Sequence, residues 1–419
     1  GPLVSGELYG WFGEERIAQE MVLGIGGVRA LRKLKKKIDV YHFNEGHALF
    51  AGLELIREKM DKGMNFREAW EVSKKEIVFT THTPVLQGNE SHPLDRLLYM
   101  GANLGLTKRQ LRSMGGEPFN MTVGGLRLSR KSNAVAQLHG ETANEMWSDV
   151  TNRSEIIAIT NGIHRPTWVD LKMKNLVAGS DSSLWKRHQK NKSDLIGFIR
   201  KKTGILLDKD RLLIGFSRRA VPYKRSDLIF SDPAIIEPLL RKRRIQLVFS
   251  GKGHPLDDEG KAIVHRLTSM QKKYPRSVLF LENYDMEIGA YLTRGVDVWL
   301  NNPRRPKEAS GTSGMKAAMN GVLNLSILDG WWPEACQHGV NGWQIGDAKI
   351  LKSERAQDRK DGNALYKALT NEVIPTYYRN NSKWIEMMRA SILSTWEEFS
   401  VERMLGEYYE LLYKKDQPL

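Results

Sequence analysis

The chain has 419 residues, a net charge of +15 and 41% hydrophobic residues, too long for one small core and ordinary for a globular protein of two domains. No apolar run is long enough to span a bilayer, and the opening GPLVSGELYG lacks the basic and apolar regions of a secretory leader. The single cysteine, Cys336, excludes an internal disulfide and fits a reducing, cytoplasmic setting.

Short apolar runs alternate with helix-like segments along the whole chain. Strands are expected in IDVYHFN (38–44), EIVFTTHTP (76–84) and EIIAITNGIH (155–164). Five more are expected in RLLIGFSRR (211–219), IQLVFSGKG (245–253), SVLFLENYD (277–285), VDVWLNNP (296–303) and VLNLSILDG (322–330). NAVAQLHGETANEMW (133–147) reads as a helix. Val, Ile, Leu and Phe-rich runs between helices indicate parallel sheets covered on both faces. The polar stretch AGSDSSLWKRHQKNKSD (178–194) and the helix after it divide these units into two groups, with a boundary near residue 205. The domains expected are 1–204, 205–390, and a C-terminal helix over 391–419 that returns to the first.

Ligands of such sheets bind beyond the carboxyl ends of the strands. Those ends carry His, Asn, Arg, Lys and Gly, side chains suited to sugars and phosphates. In EASGTSGMK (308–316), glycines and a helix N-terminus offer amides to an anion, and the lysine is either a phosphate-binding cation or an amine for a Schiff base. The same turn also reads as an ordinary helix cap. In FSRRAVPYKRS, Arg218, Arg219, Lys224 and Arg225 crowd one strand end, which favours an anionic ligand or else a solvated helix entry. His82 in TTHTP ends a strand before Pro84 and can donate to a hydroxyl, or is structural. HFNEGH offers His42, Glu45 and His47, but strand alternation splays them and HExxH is absent, so no metal is expected. GIGG (24–27) follows a helix-like run and GHPLDDEGKA has the wrong spacing for a P-loop, so neither is a nucleotide fingerprint. The basic residues are dispersed without a nucleic-acid signature.

Several of these segments together resemble the α-glucan phosphorylase family, in its shorter bacterial and archaeal branch. They are NEGHALFAGLELIR, FTTHTPV, LSRKSNAVAQLHGE, ITNGIHRPTW, RRAVPYKR, the long GVDVWLNNPRRPKEASGTSGMKAAMNGVLNLSILDGWW, and YYELLY. The resemblance implies a GT-B-like α/β fold of two doubly wound parallel-sheet domains. It implies pyridoxal 5′-phosphate as cofactor, joined to Lys316. It also implies reversible phosphorolysis of α-1,4-glucan by inorganic phosphate, releasing α-glucose 1-phosphate with retention, the cofactor's phosphate serving as acid and base. Lys316, Arg219, Lys224 and His82 are then the catalytic residues. Arg218, Thr312, Ser313, Tyr284 and Lys316 contact the cofactor, while His47, His82, Asn161, Glu308, Ser310 and Gly311 contact substrate. The partners implied are glucan and phosphate, without nucleic acid or membrane, plus a second copy of the chain or a complementing N-terminal segment.

The recognisable match starts at LYGWFGEERIAQE (8–20), and no GGLG loop occurs in the chain. An incomplete first domain is therefore expected. Two other functions stay open on the sequence: a nucleotide-sugar glucosyltransferase of the same fold, which would not need Lys316, and a non-catalytic fragment that binds glucan or a partner.

Overall fold

The computed structural model describes residues 13–253 and 257–414. The leading GPLVSG and the His254–Leu256 part of the GHPLDDEGKA segment lie outside them. The chain divides into two compact units, one formed by residues 1–160 with 405–419 and the other by 161–404. Among the described residues, no helix is long and apolar enough to cross a membrane.

The first unit holds a parallel sheet of four strands in the order β1-β2-β3-β4: β1 Tyr41–Asn44, β2 Ile77–Thr80, β3 Lys131–Ala134 and β4 Ile156–Ala158. Helix α1 (Phe50–Met60) and helix α2 (Gln137–Met146) lie between successive strands in the chain. Leu53, Leu55, Ile56, Phe79 and Leu126 make a core from which water is excluded, each such side chain contributing about 1.5–3 kcal/mol on burial. GIGG runs through a continuous helical stretch over residues 14–33, which removes it as a nucleotide loop. β3 is absent from the expected strands, and NAVAQLHGETANEMW is a helix only from Gln137 onward. The reason is that β3 is buried yet polar. Asn133 Oδ1 accepts from Thr80 Oγ1 at 2.5 Å, and the Ser132 and Ser154 hydroxyls lie 2.5 Å apart. Paired polar groups can occupy a core without leaving an apolar pattern in the sequence.

The tail packs on this unit. Tyr413 hydroxyl meets His42 Nδ1 at 2.8 Å, and Arg130 donates to the Tyr413 carbonyl at 2.7 Å. His42 Nε2 meets Thr80 Oγ1 at 2.6 Å, so both ring nitrogens of His42 are taken by structural contacts.

The second unit holds six parallel strands: β5 Leu212–Ser217, β6 Ile245–Ser250, β7 Val278–Leu281, β8 Val298–Asn301, β9 Leu323–Ile327 and β10 Gly342–Ile345. Their order is β10-β9-β8-β5-β6-β7. This is the doubly wound arrangement in which strand order reverses between β5 and β8, and the crevice at that reversal is where such sheets take ligands. Side chains alternate between the faces, as a period of two requires. Leu212, Ile214, Phe216, Leu247, Phe249 and Leu300 build one core, while Leu213, Val248, Leu279 and Trp299 build the other.

Helix α3 (Asp181–Thr203) and helix α4 (Met286–Gly295) supply Leu195, Ile199, Ile288 and Leu292 to that second core. Helix α5 (Thr312–Met319) follows β8, and helix α6 (Asn381–Thr395) packs near the end of the unit. The segment 178–194, expected as a divider, is mostly the first half of α3. Its N-cap Ser180 accepts from the Ser183 amide, and Gly204 closes it in the left-handed region at φ 75°. The buried positions of its first half include polar ones: His188 Nε2 lies 2.9 Å from Asp297 Oδ1, and Lys192 Nζ donates to Asp297 Oδ2 at 2.5 Å. A stripe of His and Lys is read as surface until its buried counter-charge is seen. The division between units accordingly falls after Thr160 rather than near residue 205.

Candidate active site

The loops after β5 and β8 meet where the strand order reverses. Arg218, one residue beyond β5, donates from Nη1 to Asn301 Oδ1 at 2.6 Å and from Nη2 to Glu308 Oε1 at 2.5 Å. Lys224 Nζ, in a short 3-10 turn opened by Pro222, lies 3.0 Å from Glu308 Oε2. Glu308 is buried, yet these two cations hold its carboxyl down to about 2, overcoming a desolvation cost that acts the other way. Burial, with Arg218 beside it, pulls Lys224 down to about 8. The Tyr223 hydroxyl is pushed up to about 12 by burial and by Glu308.

Arg219 is exposed and makes no ion pair among the described residues. Arg225 belongs to a different task. Its guanidinium binds the Asn302 and Pro303 carbonyls and the Asp358 and Asp361 carboxylates, fixing the base of the β8 loop. The expected crowd of four unneutralised cations is therefore reduced. Glu308 answers one charge among Arg218, Arg219 and Lys224, which leaves a surplus of two.

The loop 308–311 runs into α5. Gly311 takes φ 90°, a left-handed turn suited to glycine, and no side chain caps the helix. A Cβ placed on Gly311 would lie 3.7 Å from Arg218 Nη1 and from Glu308 Cγ, so this turn abuts the cation cluster. The Ser310 and Ser313 hydroxyls are buried without a hydrogen-bond partner. Lys316, on the second turn of α5, is half-buried, and its Nζ stands 3.3 Å above the centroid of the Trp168 ring. Burial alone pulls this ammonium down to about 8. Tyr284 is joined to the same neighbourhood through Gly289, where an added Cβ would lie 2.6 Å from the Tyr284 hydroxyl and 3.4 Å from Trp168.

Asn161, in the same unit as this cluster, is engaged elsewhere. Asn161 offers its carbonyl to Arg403 at 3.3 Å, and no hydrogen bond links its side chain to Glu308 or Arg218 among the described residues. In the first unit, His82 follows β2. Its Nε2 meets Asn44 Oδ1 at 2.5 Å, its amide donates to Glu45, and burial lowers its affinity for protons. His47 instead joins Arg16 and Glu90, with Nδ1 at 2.6 Å from Arg16 Nη2. Glu20, His47 and Glu90 bring donor atoms within 4.8 Å of one another, but Arg16 already supplies the cation between them.

The sequence alone assigns no role to Trp168, Asn301 or Asp329. Trp168 lies within ITNGIHRPTW, but nothing in the spacing links residue 168 to residue 316. Asp329 ends the apolar run VLNLSILD, and a lone acid at the end of a buried strand was the available signal.

Two open parallel α/β units, the second with a cationic cluster at its strand-order reversal, define the GT-B-like class. The profile described as carbohydrate phosphorylase matches residues 178–338, which contain this cluster. Maltodextrin phosphorylase of Thermococcus litoralis is 39% identical over 96% of this chain and 54% of its own length. Glycogen phosphorylase of Aquifex aeolicus is 36% identical over 98% of this chain and 68% of its own length. Glycogen phosphorylase of Mycobacterium bovis is 37% identical, with 98% and 56% covered. The chain belongs to the carbohydrate phosphorylase family, and it spans roughly half to two thirds of the length of these relatives.

Proposed function

We propose that the protein performs reversible phosphorolysis of α-1,4-glucan, with inorganic phosphate as acceptor and retained α-glucose 1-phosphate as product, and that Lys316 holds pyridoxal phosphate. The observation carrying this is the state of Lys316. It is an amine pulled down to about 8 by burial, placed over an indole, one helical turn from amides and orphaned serine hydroxyls. Neutral amine is what condenses with an aldehyde, and an apolar wall with nearby anion donors suits an aromatic ring bearing a phosphate. The residues present therefore fit the cofactor. Thr312 and Ser313 at the start of α5, with Arg218 and Tyr284, are the residues assigned to it.

When bound, this cofactor supplies a second phosphate group able to exchange a proton with the substrate phosphate. The protein's own task is to hold two anions close together. Arg219 and Lys224 take the substrate phosphate, and the surplus of two positive charges offsets its charge. Glu308, kept anionic by Arg218 and Lys224, accepts from a sugar hydroxyl, and the unpartnered Ser310 hydroxyl donates to one. Asn161 is the further sugar contact assigned within the second unit, and His47 and His82 are those assigned within the first.

The test is conversion of maltoheptaose and inorganic phosphate to glucose 1-phosphate by the purified protein supplied with pyridoxal phosphate. Turnover that disappears in Lys316→Ala supports the reading. Glucan binding without turnover would return the protein to the non-catalytic alternative.

A further inference from the structure

The loop that carries Glu308 is not held by Glu308's own ion pairs alone. Asp329, two residues beyond β9, is fully buried, and no ion pair to it occurs among the described residues. Its two oxygens are used on main chain: Oδ2 accepts from the Glu308 amide at 3.0 Å, and Oδ1 from the Gly330 amide at 2.8 Å. The same two loops are stitched again where the Trp331 amide donates to the Ser310 carbonyl at 2.8 Å and where Arg305 donates to the Leu328 carbonyl. Gly330 takes φ 58°, and a Cβ there would stand 2.2 Å from the Ser310 carbonyl oxygen, so the loops touch through main chain with no room for a side chain.

We propose that Asp329 is a positioning residue for the reaction: its carboxyl group fixes the main chain at Glu308 and thereby sets the Glu308 carboxylate and the Ser310 hydroxyl in register with the bound sugar phosphate. This rests on the function proposed above. The donor is Glu308's own amide, so any shift of Asp329 moves the backbone from which the Glu308 side chain springs. The loop thus uses one acid to meet the cations and a second to place the first. Burial and the neighbouring Glu308 raise Asp329 to about 8, against the opposing pull of the two amides it accepts from.

The experiment compares wild type, Asp329→Asn, Asp329→Ala and Glu308→Gln in the full protein loaded with pyridoxal phosphate. It reads KM for glucose 1-phosphate, kcat and cofactor absorbance. The expected result is a rise in KM of about tenfold or more in Asp329→Ala and a smaller rise in Asp329→Asn, with wild-type cofactor content. A merely structural role would lower the active fraction, and so kcat, while leaving KM alone. KM within twofold of wild type in both Asp329 variants, while Glu308→Gln raises it, would overturn the positioning role only. An unchanged KM in Glu308→Gln, or an inactive wild type, would overturn the reading of the site and the positioning role with it. If the Asp329 variants do not fold, Gly330→Ala displaces the same loop from the opposite side. The same rise in KM is then expected, and an unchanged KM overturns the proposal.

Discussion

The Lys316 ammonium lies 3.3 Å above the centre of the Trp168 indole, although the two residues are 148 positions apart in sequence. An indole face favours the cation by about 0.5–2 kcal/mol, yet Lys316 is pulled down to about 8. Burial is the cause of that lowering. Trp168→Ala should open the amine to water and move it back toward the ordinary lysine value. At neutral pH the reactive neutral fraction would then fall by up to about two orders of magnitude. The rate at which added pyridoxal phosphate develops its protein-bound absorbance checks this, and an unchanged rate would show that the indole does not shield Lys316.

Glu308→Gln removes the buried counter-charge of Arg218 and Lys224. Stranding buried cations costs about 3–5 kcal/mol, so the apparent melting temperature should fall. Inorganic phosphate should then raise that temperature more in the variant than in wild type, because the surplus positive charge has grown. Calorimetric melts with and without phosphate read this directly, and equal phosphate shifts would argue that the anion binds elsewhere.

Two carboxyl groups of one loop contact are pushed in opposite directions, and their effects on stability carry opposite signs. Glu308 is lowered from 4.5 to about 2, so its contribution is complete above 4.5 and is lost as pH falls toward 2. Asp329 is raised from 3.8 to about 8, so between those values the folded chain holds a proton that the unfolded chain has released. Its contribution is complete below 3.8 and is lost as pH rises toward 8, with a limiting slope of about 1.4 kcal/mol per pH unit. Denaturant titrations across pH 4–8 should show a shallower decline in Asp329→Asn than in wild type. Parallel curves would mean that Asp329 is ionised throughout.

Lys192 and His188 of α3 are buried against Asp297. Asp297→Ala leaves a buried ammonium without its carboxylate and frees the Leu213 amide that Asp297 accepts at 2.7 Å. The expected loss is about 3–5 kcal/mol, measured by chemical denaturation of the second unit. A loss under 1 kcal/mol would show that other partners, such as the Arg211 carbonyl, suffice for the Lys192 ammonium.

The strands legible in the sequence are those with long apolar runs; β10, four residues with Trp343 and Ile345 buried, is too short a run to stand out and is not among the expected strands. All six residues of LLIGFS in β5, and those of IQLVFS in β6, are buried, and each run stands out by composition. β3, with the sequence KSNA, and the first half of α3 were not legible, because Asn133, Ser132, His188 and Lys192 are buried through partners distant in sequence. The site follows the same rule. Arg218–Lys224 and Glu308–Lys316 are local runs and could be read directly. Trp168 beneath Lys316, and Asp329 behind Glu308, are long-range pairings with no periodic trace. Even the basic cluster was only partly legible, since Arg225 is consumed by Asp358 and Asp361 rather than by a ligand.

The most direct test of the central claim is borohydride reduction of the protein after incubation with pyridoxal phosphate, followed by peptide mass mapping. The account predicts one pyridoxyl adduct, on Lys316, and none in Lys316→Ala, whose apparent melting temperature stays close to wild type. A protein that takes up no cofactor, or one that carries the adduct on another lysine, would contradict it.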